Sequence, residues 1–308
     1  MSRPKITIVG AGNVGATAAS LLLLKDLADV VLIDVAVGMA KGKALDLMHM
    51  RSNEQFVSTV SGTGDYADTA GSDVVVVTAG VPRKPGMTRE DLLGVNAGII
   101  KSVLEGVQPA SPDAVYLFVT NPLDVMTNLA ARISGLPHER VLGMGGVLDT
   151  ARFTYAIAQE TGAAPQEIEA LVVGAHGEAM VPLPRLSTVG GTPLDSLLSP
   201  DALARVVSNT VQGGASVVEL LQTGSAFYAP ASSIVRMLEA IVGDTGAVLS
   251  TCAFLDGAYG IDGIAMCVPA RLGAGGVQGI VELDLDHSER AQLVASAAAI
   301  RAQIDAWA

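Results

Sequence analysis

The chain has 308 residues, half of them hydrophobic and 16% charged, with 31 acidic against 19 basic side chains and a formal net charge of −12. That length exceeds one ordinary domain, and the composition supports a large buried core, so disorder is excluded and two domains are expected, 1–146 and 147–308. Such an acidic surface repels nucleic acid and anionic lipid, and it requires any anionic substrate to be held by locally clustered arginines.

The opening MSRPKITIVG reads directly as a first strand, Lys5–Val9, without a leader, and apolar runs such as Leu21–Leu24 are far shorter than the ~20 residues that span a bilayer. A cytoplasmic location without membrane contact is the expectation. Further strands are predicted at Val30–Ile33, Val57–Ser61, Val74–Thr78 and Val115–Val119, apolar on both faces as strands between two helix layers are. Helices are predicted between them at Asn13–Leu24, Gly38–Met50, Thr88–Gly106 and Leu123–Ser134. This alternation predicts a doubly wound parallel sheet of α/β class, with strand C-termini along one ligand-binding edge.

Past Gly146 the rhythm changes. Helices are predicted at Leu148–Glu160, Asp201–Leu221, Ser232–Val242 and Ser288–Trp307. Short strands are expected at Ala170–Val173 and Ser187–Val189, and antiparallel runs near Leu249–Leu255, Gly263–Pro269 and Gly279–Leu283, separated by Gly/Pro turns. The second half therefore reads as an α+β domain. Cys252 and Cys267 lie in apolar stretches outside any CxxC pair, which suits buried, inert thiols and no disulfide framework. No metal site is read.

Gly10-Ala11-Gly12-Asn13-Val14-Gly15 is a GxGxxG segment between the first strand and the first helix. In that context it predicts a Rossmann-type dinucleotide site: a tight turn at Gly10, backbone approach to a pyrophosphate at Gly12, close helix–strand packing at Gly15, and an anion on the helix N-terminus. Asp34 stands 19 positions beyond Gly15 at the end of the second strand, where a carboxylate accepts from ribose hydroxyls and repels a 2′-phosphate. Val35 and Ala36 offer no cation, so NAD is predicted rather than NADP.

Polar residues interrupt apolar context at Asn121, Asp149, Arg152 and His176, and Arg83 and Arg89 lie in a Pro/Gly-broken stretch entering a helix, with Thr88 and Asp91 spaced as a capping box. Singly, each has an ordinary structural reading: a cap for Asn121, a surface ion pair for Asp149 and Arg152, a structural histidine, solvated arginines.

Together, GAGNVG, TAGVPRKPGMTREDLL, TNPLDVMT, GVLDTARF, GAHGEAMVPLPR, TGSAFYAPA and CVPARLGAGGV resemble the lactate/malate dehydrogenase family over essentially the whole chain. The resemblance implies NAD-dependent oxidation of a 2-hydroxy acid in the second, substrate-binding domain. It assigns His176 as proton acceptor and donor, Asp149 as its orienting partner, Arg152 as the C1-carboxylate fork, Asn121 at the C2 oxygen and Arg89 as a carbonyl-polarising flap residue. Cofactor contacts fall to Gly10, Gly12, Asn13, Val14, Gly15, Asp34, Asn96, Val119 and Asn121. Arg83 would select a dicarboxylate such as malate, because lactate-type members typically carry glutamine there; Ala226 would leave room for the longer substrate. A lactate or other 2-hydroxyacid dehydrogenase is the nearest alternative, and a catalytically silent NAD-binding redox sensor the remote one. Glu178 replaces the aspartate usual after His-Gly, which puts its contact near His176 in question. Relatives are dimers or tetramers, so a homotetramer or homodimer is expected, with Gly213-Gly214-Ala215 a candidate packing face.

Overall fold

Strands in the first half form where β-branched residues run together. The computed structural model, which describes residues 3–82 and 87–306, places β1 at Lys5–Val9, β2 at Asp29–Ile33, β3 at Val60–Thr63, β4 at Val74–Val77, β5 at Val115–Phe118 and β6 at Val141–Gly143. β4 is four consecutive valines, all buried, because helices cover both of its faces. The six strands are parallel in the order β3-β2-β1-β4-β5-β6. Their crossovers include α1 (Asn13–Leu24), α2 (Val37–His49), α3 (Arg89–Val107) and α4 (Leu123–Ser134). This is the expected doubly wound sheet, with its strand order reversing between β1 and β4, where such folds bind ligands.

One strand starts later than the sequence reading places it, and one is absent from that reading, each for an identifiable reason. β3 begins at Val60 rather than Val57, because the amides of Val57 and Ser58 donate to the Asp26 carboxylate at 3.1 and 2.7 Å. The three-residue β6 is too short to show a periodic pattern.

The second half contributes α5 (Gly146–Thr161), β7 (Val172–Gly174), β8 (Met180–Pro182), α6 (Pro200–Leu221), α7 (Tyr228–Val242), β9 (Ala247–Asp256), β10 (Asp262–Gly273), β11 (Gly276–Ile280) and α8 (His287–Asp305). β9, β10 and β11 form the predicted antiparallel series. The β9–β10 hairpin also continues the first sheet: Cys252 on β9 pairs with Gly143 on β6, and Cys267 on β10 pairs with Gly174 on β7. One eleven-stranded sheet results, ordered β3-β2-β1-β4-β5-β6-β9-β10-β7-β8 with β11 on β10. Its largest core cluster mixes the halves, packing Ile6, Leu22 and Leu32 with Ile234, Leu238 and Leu272. Trp307, the predicted end of the last helix, lies outside the described residues. Among those residues no helix is long and apolar enough to cross a membrane.

Candidate active site

The glycine turn sits where β1 meets α1. Gly10 has φ +106°, and a Cβ there would lie 2.7 Å from the Thr78 hydroxyl, while one on Gly15 would lie 2.0 Å from the Gly10 carbonyl oxygen. Both positions are closed to a side chain. Gly12 differs: a Cβ there would meet nothing within 4 Å, so its backbone faces open space at the N-terminus of α1, where a pyrophosphate fits. Asp34, at the end of β2, accepts from the amides of Ala11 and Ala36 at 2.7 and 2.8 Å, tying the second strand to the turn while keeping unused lone pairs. The donor set suits a dinucleotide.

Asn96 is 1% exposed and turns inward. Its Oδ1 accepts from Val81 N–H at 2.9 Å, and its Nδ2 donates to the Asn121 carbonyl at 2.7 Å and the Val81 carbonyl at 3.3 Å. It thus braces two loops at the strand edge. Val119 is half-buried just after β5. The exposed Asn121 precedes Pro122 through a cis peptide bond, and its side-chain amide has no partner among the described residues. Thr88 and Asp91 form the predicted capping box, which starts α3 at Arg89. Arg83 and the Arg89 side chain lie outside the described residues.

Asp149, Arg152 and His176 converge. Gly145 and Gly146 let α5 begin hard against its neighbours: a Cβ on Gly145 would come within 3.0 Å of His176 Cβ, and one on Gly146 within 2.0 Å of Ser250 Oγ. One turn later Asp149 is 1% exposed. Its Oδ2 accepts from His176 Nδ1 at 2.8 Å, and its Oδ1 accepts from Arg152 Nη1 at 3.2 Å. The ordinary reading of Asp149 and Arg152 as a surface ion pair thus does not hold: Asp149 is buried and Arg152 partly buried. Since a carboxylate only accepts, Nδ1 carries the proton, leaving Nε2 free among the described residues. Gly213 and Gly214 on α6 leave space for Arg152: a Cβ on either would lie 3.3 Å from its side chain. Glu178 is exposed and makes no hydrogen bond or ion pair among the described residues, so it does not reach His176. Ala226 is half-buried between α6 and α7. A separate cavity of about 430 Å³, lined by Arg132, His138, Phe254, Ile264, Arg301 and Ile304 among others, includes none of these polar residues.

Burial opposes a charged His176 ring, but the charge and hydrogen bond of Asp149 and the charge of Asp124 outweigh it, with Arg152 acting the other way. The net effect raises its pKa above the ordinary histidine value. Asp124, which sequence reasoning passed over, lies in the first turn of α4 and is 6% exposed. Its Oδ2 accepts from the His176 backbone N–H at 2.8 Å. Burial pushes its carboxyl up to about 6, against the opposing charge and backbone hydrogen bond of His176. Cys252 and Cys267 are free and buried, and burial contributes to raising both thiols, as expected of inert cysteines.

A parallel sheet in this order, opened by a glycine turn and closed by an acid on the second strand, marks the class of NAD-binding Rossmann proteins. The NAD-binding domain of lactate/malate dehydrogenase matches residues 4–143, and the α/β C-terminal domain of the same enzymes matches 146–308. The chain belongs to the lactate/malate dehydrogenase family. It is 50% identical over 301 residues to the malate dehydrogenase of Synechocystis sp., covering 98% of this chain and 93% of that protein. The structure of Cryptosporidium parvum malate dehydrogenase superposes with a TM-score of 0.96 at 40% identity, covering 99% of each chain. A lactate dehydrogenase of the same organism, solved with lactic acid and NAD, also reaches 0.96, at 41% identity over 100% of this chain and 98% of that one. Fold alone therefore does not separate the two substrates; the curated relatives at 48–50% identity are malate dehydrogenases.

Proposed function

We propose that the protein interconverts (S)-malate and oxaloacetate with NAD in the cytoplasm, as a step of the tricarboxylic acid cycle. The observation that carries the mechanism is the buried Asp149–His176 pair with Nε2 free beside Arg152. Neutral His176 takes the C2 hydroxyl proton of malate through Nε2, and in the reverse direction the imidazolium returns it. Asp149 fixes the tautomer and stabilises the charged ring. Bound NAD supplies the hydride acceptor, held by Gly10, Gly12, Asn13, Val14, Gly15, Asp34 and Val119, with Asn96 bracing the adjoining loops. Arg152 grips the C1 carboxylate as a planar fork, and Asn121 hydrogen-bonds the C2 oxygen. Arg89 polarises the carbonyl and Arg83 pairs with the second carboxylate, the interaction that distinguishes malate from lactate. Residues 1–146 form the cofactor-binding unit and 147–308 the catalytic unit.

The test is NADH consumption by the purified protein with oxaloacetate and, separately, pyruvate. Oxaloacetate is expected to be strongly preferred; preference for pyruvate overturns the role of Arg83. The active form is a homotetramer or homodimer, a reading supported by exposed apolar side chains such as Leu45 (59%), Tyr228 (73%) and Leu220 (83%). Light scattering should then give two or four times the 31.4 kDa chain mass.

A further inference from the structure

Beneath His176 lies a second carboxylate that the proposed mechanism does not use. Asp124 approaches the backbone of His176 from α4, while Asp149 contacts the ring from α5. Its Oδ2 accepts from the His176 backbone N–H at 2.8 Å, and its Oδ1 accepts from the Cys252 thiol at 3.6 Å. Cys252 and Cys267 face each other in register on β9 and β10, and their Sγ atoms lie within 4.8 Å of each other and of an Asp124 oxygen. Cys267 Sγ in turn accepts from Gly146 N–H at 3.2 Å, at the start of the helix that carries Asp149 and Arg152. One buried cluster thus touches the backbone of the histidine and the origin of its partner helix.

We propose that Asp124 is a positioning residue for the reaction: it pins the His176 main chain, and its negative charge favours the protonated ring. The two duties are physically separable. An asparagine can still accept the His176 N–H through its side-chain oxygen and turn its amide toward the Cys252 sulfur, but it carries no charge. An alanine does neither. Among the described residues, the other charged or titratable groups around the ring and around Asp124 are Asp149 and Arg152 from α5, Cys252 from β9 and Cys267 from β10. None of these changes in Asp124→Asn. Charge loss alone is therefore expected to lower the pH at which the ring loses its proton by about one unit.

The inference rests on the assignment of His176 as proton carrier, and its test is independent of turnover. The chain has four histidines, so the His176 ring resonances are assigned by their absence in His176→Asn and titrated by NMR in the full-length protein with NADH. In Asp124→Asn the His176 midpoint should fall by about one pH unit, and malate oxidation at pH values where the ring is neutral should lose less kcat than in Asp124→Ala, because the backbone contact is kept. In Asp124→Ala the midpoint should fall as far and kcat should drop at every pH. Should Asp124→Asn not fold, Cys252→Ala, which removes only the thiol donor to the carboxylate, should move the midpoint the same way by less. An unchanged His176 midpoint in the folded variants overturns the proposal. Retained turnover in His176→Asn would instead remove the assignment of that histidine and leave the measured shift standing.

Discussion

In the proposed function Arg83 carries the substrate choice that the fold leaves open. A guanidinium facing the second carboxylate of the substrate compensates a desolvated anion that a neutral side chain leaves unpaired. Arg83→Gln should cost about 2–5 kcal/mol of transition-state binding, roughly 30- to 5000-fold in kcat/KM for oxaloacetate. NADH affinity, measured by fluorescence titration, should hardly change; equal losses would remove the assigned role. A second residue-scale prediction concerns pH. Because the His176 pKa is raised, malate oxidation, which needs the neutral ring, should rise with pH through a midpoint above ~6.5. Oxaloacetate reduction needs the imidazolium and should fall across the same interval. A pair of pH–rate profiles with midpoints at or below that value would contradict the arrangement. The candidate site residues interrupt apolar sequence, but singly each has an ordinary structural reading, and their roles come from the family resemblance. Asp124 was not among them, because a carboxylate in the first turn of a helix has an ordinary explanation as a partner for the helix dipole. Only the folded chain, bringing residues 124 and 176 together, reveals its contact with the histidine backbone.

At the scale of elements, the turn between β1 and α1 separates structural from ligand-facing glycines. Gly15→Ala would drive a Cβ into the Gly10 carbonyl oxygen and should destabilise the protein measurably. Gly12→Ala meets no protein atom, and its φ of −66° suits alanine. Its thermal midpoint should match the parent while NADH binding weakens at least about tenfold, the added methyl occupying space meant for the pyrophosphate. Wild-type affinity in Gly12→Ala would show that the open face is not the binding face. Helices were readable from sequence because caps and periodicity are local: the Thr88–Asp91 capping box marks the start of α3 as expected. The three-residue strands β6 and β8 were harder, since pairing partners far along the chain decide them. The glycines at 213 and 214 show the same limit. Their sequence suggests a packing face, yet within this chain they make room for the Arg152 side chain.

For the molecule as a whole, sequence divides the chain near residue 146, while the folded protein joins the two parts through hydrogen-bonded strands and a common apolar interior. The change from parallel to antiparallel rhythm was legible; the joint between β6 and β9 was not, because a single register pair, Gly143 with Cys252, leaves no pattern in either segment. That joint has a practical corollary for anyone who cuts the gene there. Without residues 147–308, β6 becomes an open edge, and Leu22 and Leu32 lose Ile234 and Leu238 from their packing. A fragment ending at 146 should consequently precipitate or bind hydrophobic dyes rather than take up NADH; a soluble, NADH-binding monomer would contradict this. The same continuity means that pulling the halves apart as separate bodies would break the β6–β9 pairing and open the shared interior to water.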